Sequence, residues 1–150
     1  MVCYDKDGDL KWKDKWNNTV VNEGLQHVLD VTFSATAEES PWYLGLTDST
    51  PTVNAADTMA SHTGWTEVTD YADNRKEWVE VRSNQSMTNS ASVAVFAING
   101  SATVGGAFLT SDATGTAGVL MSSGALTGGD RSVVSGDTLN LTYTFAAADA

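Results

Sequence analysis

TLNLTYTF, residues 138 to 145, alternates without a slip: Leu139, Leu141, Tyr143 and Phe145 are apolar, and Thr138, Asn140, Thr142 and Thr144 are polar. In an extended chain successive side chains point to opposite faces, so this spacing predicts a strand with one face in a core and the other in water. Such half-wet strands belong to antiparallel sheets.

Upstream, Ser92 to Ile98 and Ala102 to Leu109 are apolar on both faces, the pattern of central strands covered on each side. Asn99-Gly100 lies between them, a hairpin signal that predicts an antiparallel pair. Breaks at Asp112 to Gly115, Gly124 to Asp130 and Ser135 to Asp137 leave short strands near Gly118 to Ser122 and Ser132 to Val134. Gly105-Gly106 reads as close strand packing and Gly128-Gly129 as a turn. The spacing predicts a mainly β protein, an antiparallel β-sandwich of which the jelly roll is one closed form.

The first half is mixed. Val2 to Tyr4 and Leu10 to Lys13 flank the turn Asp5 to Asp9 and predict an N-terminal hairpin or arm over residues 1–17. A single domain over 18–150 follows, opening with a helix at about 20–33, because Val21, Leu25, Val28, Leu29 and Thr32 recur at helical spacing. Asn18 and Thr19 are its candidate caps, Glu23 suits the first turn, and the apolar stripe is expected to pack on the sheet. Pro41 to Leu46 and Lys76 to Arg82 read as strands, and the polar connection through Thr66 as an exposed loop.

At 150 residues the chain is large enough to bury a core without a staple. Cys3 is the single cysteine, so an intrachain disulfide is excluded, and the usual zinc frameworks are missing. This composition suits a reducing cytoplasm. The charged opening residues do not resemble a signal peptide, and the apolar runs are too short to span a bilayer as a helix. The formal charge is −11 and the eight Lys and Arg residues form no dense patch, so neither nucleic acid nor a membrane is expected as a partner.

The chemistry-bearing patterns are incomplete. Asp5-Lys6-Asp7-Gly8-Asp9 lacks the glycine and the terminal acid that a calcium loop requires, since those positions are Leu10 and Trp16. Glu23, His27 and Asp30 share one helical face, but no second histidine joins them, so no metal site is expected. There is no G-x-S-x-G elbow, no phosphate loop and no dinucleotide fingerprint, and Glu77 and Glu80 fall on opposite faces of a strand. The chain is therefore expected to be no enzyme, with no catalytic residues and no cofactor. Tryptophan points elsewhere: Trp12 and Trp16 stand on a charged arm, where aromatics serve to anchor interfaces unless the arm folds back and completes the core. With Tyr4 on the same arm and Trp65 in the long connection they are the interface candidates.

Two stretches carry a resemblance: PWYLGLTDSTPTVNAADTMASHTGWTE, Pro41 to Glu67, and GAFLTSDATGTAGVLMSSGALTGGDRSVVSGDTLNLTYTF, Gly106 to Phe145. Together with the helix ahead of the WY-G-L strand and the closing G-D-T-L strand, they resemble small virion proteins of tailed bacteriophages over most of residues 18 to 146. The resemblance implies a non-enzymatic structural protein of the virion, made in the host cytoplasm. It implies a capsid decoration or cement protein, bound non-covalently to the major capsid protein or another virion protein and forming a homo-oligomer. A tail or fibre component, or a receptor- or glycan-binding module, is the alternative. No catalytic residue is carried over with it.

Overall fold

The structure, a computed structural model, describes residues 1–147. It is mainly β, with antiparallel sheets and one helix, consistent with a β-sandwich. The strands are β1 (Val2–Tyr4), β2 (Leu10–Lys13), β3 (Thr19–Val20), β4 (Tyr43–Thr47), β5 (Glu67–Val68), β6 (Lys76–Glu77), β7 (Val81–Ser83) and β8 (Ser86–Thr88). The second half adds β9 (Ala94–Ala97), β10 (Ala102–Val104), β11 (Gly106–Thr110), β12 (Leu120–Ala125), β13 (Arg131–Val133), β14 (Thr138–Leu141) and β15 (Thr144–Ala146). Helix α1 (Asn22–Phe33) lies between β3 and β4.

A front sheet runs β2-β1-β14-β9, and a back sheet runs β3-β12-β11-β4-β5 with β6 also paired to β4. The smaller sheets β10-β13 and β15-β8-β7 complete the fold. Alternation builds the core between the two main sheets: Cys3, Phe96, Leu139 and Leu141 point back, and Leu44, Leu46, Leu109 and Met121 point forward. Burial of each such large side chain stabilises the fold by roughly 1.5–3 kcal/mol.

The back sheet is covered on its other face too, where Phe108 and Leu120 meet Val21, Met59 and Trp65. This second core explains the uninterrupted apolar run of β11, buried at every position. It also explains the glycine in the WYLGL segment. Gly45 pairs with Phe108 across the ladder, and any Cβ there would collide with the Phe108 ring.

Several expectations are met and several are corrected. The hairpin of β1 and β2 forms around Asp5, whose carboxylate accepts the N–H groups of Asp7 and Asp9 at 2.9 Å. The hairpin expected between residues 92 and 109 does not form: β9 pairs with β14, β10 with β13, and β11 with β4 and β12. Neither Asn99 nor Gly100 has the positive φ that a two-residue hairpin turn requires, so the dipeptide carries the chain from one sheet to another. As an edge strand, β9 is not covered on both sides and leaves Val95 exposed. The 138–145 segment splits into β14 and β15. The side-chain amide of the fully buried Asn89 takes the place of a neighbouring strand between them, donating to Leu141 O and accepting from Tyr143 N. The expected strand from Lys76 to Arg82 likewise breaks, because Trp78 turns into the core and lies edge-on to Tyr143.

The connection from Thr47 to Thr66 is not an exposed loop. It lies over the back sheet and contributes Met59 and Trp65 to the second core, with His62 stacked on Trp65 at 3.6 Å. The loop after β11 is pinned by Arg75, which forks onto Glu67 at 2.7 and 2.8 Å and donates to the carbonyls of Asp112 and Gly115. Five donors in a fixed fork suit this task, and no ammonium could replace them.

Candidate functional site

The helix departs furthest from expectation. Asn18 and Thr19 do not cap it; Thr19 lies in β3, and the N-cap is Val21, with no side-chain capping bond. Glu23 stands in the first turn as expected and accepts the Leu120 N–H at 2.7 Å, which joins helix to sheet. Gly24 is the buried residue of the helix, and a Cβ there would strike the Met121 backbone. The helix therefore meets the sheet backbone to backbone, along the line of Gly24, His27 and Val31.

That choice of face turns the apolar stripe outward. Leu25, Val28 and Leu29 are exposed, and Phe33 is 79% exposed. At 100° per residue these side chains form one ridge along the helix. Large apolar side chains massed on one surface mark a place that another molecule covers. Beside the ridge, a groove of about 240 Å³ runs between α1 and the sandwich, with Trp42, Met87 and Phe145 in its wall and Glu38 and Glu39 on its rim. His27 stands edge-on to Trp42 at 5.5 Å.

The outer face of the front sheet is a second exposed surface. Since Cys3, Leu139 and Phe96 point inward, the register places Lys13, Val2, Asn140 and Val95 in one outward row across four strands. Tyr4 lies in the next row, between Leu10 and Thr138. Leu10 and Val95 are exposed and Tyr4 is half-buried.

The interface candidates named from the sequence thus have different fates. Tyr4 is on this outer face. Trp12 and Trp16 are half-buried and pack against the inter-sheet core, Trp12 with the Arg131 guanidinium 5.9 Å from its ring. Trp65 is a correction: it is buried in the second core against Phe108 and offers no surface to a partner. The arm is tied down because β1 lies between β2 and β14, so its aromatics close the fold they belong to. The ridge residues were visible in the sequence but assigned to the wrong side. The signal was Gly24, the one position in the periodic segment small enough for backbone contact.

A further groove of about 450 Å³ is lined by Trp16, Asn17, Asn18, Thr142, Tyr143 and Thr144 among others. Burial raises the Tyr143 hydroxyl above its ordinary range, opposed by its hydrogen bonds to Ser122 and Asn18. Burial, with the nearby Asp137 charge, pushes the Cys3 thiol up to about 11, which keeps it protonated and unreactive at neutral pH. Among the described residues no three His, Cys, Asp or Glu side chains are grouped to hold a metal ion.

The chain matches no protein-family model, and no curated protein matches it.

Proposed function

We propose that this protein is a structural component of a bacteriophage virion, a decoration protein that attaches non-covalently to the capsid shell and acts by packing rather than chemistry. The exposed ridge of α1 is the observation that carries the reading: a strongly acidic domain with two well-built cores leaves Leu25, Leu29 and Phe33 on one uncovered surface. A subunit destined for an assembly has such a surface, and many weak contacts on a lattice add through avidity. The resemblance of residues 41–67 and 106–145 to tailed-phage virion proteins supports a virion as that assembly.

Particle composition tests this. Quantitative mass spectrometry of purified particles from the source is expected to find one copy per shell subunit, or per few shell subunits. A trace ratio moves the protein to the tail, and absence from the particle rejects a virion role.

The groove beside Trp16 favours the second reading, a glycan-binding module, because it sets an indole among amides and hydroxyls. Sugar sites combine apolar faces with a few placed polar groups in this way. Binding on a glycan array that Asn17→Ala and Thr142→Ala abolish would support that reading; silence on the array counts against it.

A further inference from the structure

We infer that the α1 ridge is covered by the outer face of the front sheet of a second copy of this chain, in a head-to-tail contact. The inference rests on the assembly reading and names a partner for its main surface.

Charge selects the occupant. Residues 1–17 hold four of the eight basic residues against four acids, whereas residues 18–150 hold four bases and fifteen acids and carry the whole −11. Two copies meeting acid to acid would repel, and the front-sheet hairpin, with four bases against four acids, is not net acidic. Lys13 lies in the outward row with Val2 and Val95, and among the described residues neither Lys13 nor Lys15 makes an ion pair. The groove beside the ridge offers Glu38 and Glu39, which also make no ion pair among the described residues. An apolar ridge with an acidic rim thus meets a sheet face that presents Val2 and Val95 with Lys13 at its end, and complementary charge both steers the encounter and fixes its orientation.

The two patches belong to different sheets, α1 to the back and the outward row to the front, so each copy can use both at once. Such a contact is heterologous and produces a closed ring or an open chain of copies. A ridge-to-ridge dimer would use one patch twice and bring four groove carboxylates together. Patches of a few hundred Å² fall below the roughly 800 Å² per partner of stable complexes, so association of the isolated protein is weak and grows with concentration.

The experiment is sedimentation of the purified full chain from about 10 μM to about 1 mM, a range that spans weak dissociation constants. Leu29→Glu breaks the ridge and Val95→Glu breaks the sheet face, at positions 54% and 48% exposed, where the fold tolerates a carboxylate. Circular dichroism verifies folding, and Leu29→Ser with Val95→Ser is the milder pair. The wild type is expected to associate and each variant alone to remain monomeric. An equimolar mixture of the two variants should form a complex of two chains and nothing larger, because it has one intact ridge and one intact sheet face. Lys13→Glu should weaken wild-type association about tenfold.

A monomeric wild type at every concentration overturns the inference. So does a Val95→Glu variant that associates normally, which would mean ridge on ridge, or a mixture that stays monomeric. None of these results depends on the particle. A protein that associates as described but is missing from virions would reject the proposed function and leave this contact standing.

Discussion

The N-terminal hairpin and helix α1 exchange the roles their compositions suggest. Residues 1–17 are dense in charge, yet β1 lies in the interior of the front sheet with Cys3 fully buried. Residues 22–33 carry a regular apolar stripe, yet most of it faces outward. Backbone hydrogen bonding explains the exchange. A strand has no hydrogen bonds of its own and is held wherever a ladder is open, and β1 satisfies both of its edges between β2 and β14. A helix satisfies its own backbone and needs only a contact line, which Gly24 and Glu23 supply.

The largest effects should therefore come from the hairpin, despite its polar sequence. Cys3→Asp places a carboxylate between the sheets and is expected to cost at least about 4 kcal/mol, enough to abolish cooperative folding in a urea titration followed by tryptophan fluorescence. A soluble variant with a native melting curve would break the comparison. Lys11→Met comes next. The Lys11 ammonium caps Asp137, which is 2% exposed and otherwise held by the Val134 N–H. Stranding a buried carboxylate costs about 3–5 kcal/mol, and the partial exposure of Lys11 reduces the expected loss to about 2 kcal/mol in the denaturation midpoint.

Gly24→Ala tests the helix side. Alanine is the better helix former by about 1 kcal/mol, so an isolated helix would gain. Here the new Cβ strikes the Met121 backbone, whose carbonyl accepts the Val21 N–H at 3.2 Å and whose neighbours Leu120 and Ser122 are paired with β11. The expected net loss is about 2 kcal/mol. A stabilised Gly24→Ala variant would mean that the helix stands off the sheet.

Titration of Cys3 sharpens the hairpin side again. The folded thiol keeps its proton up to about 11, and an unfolded one loses it near about 8.5. Between those values the folded state binds more protons, so this contribution to stability is complete below the lower value and is lost as pH rises through the upper one. Thermal midpoints at alkaline pH should fall more steeply for the wild type than for Cys3→Ala. Ellman's reagent at pH 8 should label the thiol only after denaturation.

What the sequence disclosed follows the same division. The alternation of 138–141, the 2–13 hairpin, the WYLGL strand and the helix were legible because periodicity is local. The partner of each strand was not. Asn99-Gly100 has the composition of a hairpin turn, and only the demand of β9 for β14 overrides it. The packing of Met59 and Trp65 over the back sheet was hidden because a polar connection shows no period. The candidate surface was half legible: the stripe could be read, but not its direction, since a helix with apolar residues over half its circumference can bury either side. One glycine decides the matter, and a glycine within a helix reads at first as a mere weakness.

The smallest expected effect bears hardest on the comparison. Replacing Leu25, Leu29 and Phe33 together by glutamine keeps good helix formers at those positions and removes the ridge. If the side chains contact only water within the monomer, the urea midpoint should stay within about 0.5 kcal/mol of wild type, as for surface substitutions generally. Three equivalent replacements between the sheets would cost several times the cost of any one. A loss beyond about 2 kcal/mol would mean that the chain covers its own ridge, and the exchange of roles between hairpin and helix would no longer hold. An unchanged midpoint together with lost self-association would separate the residues that hold this fold from those that join it to others, and would place the second kind on the helix.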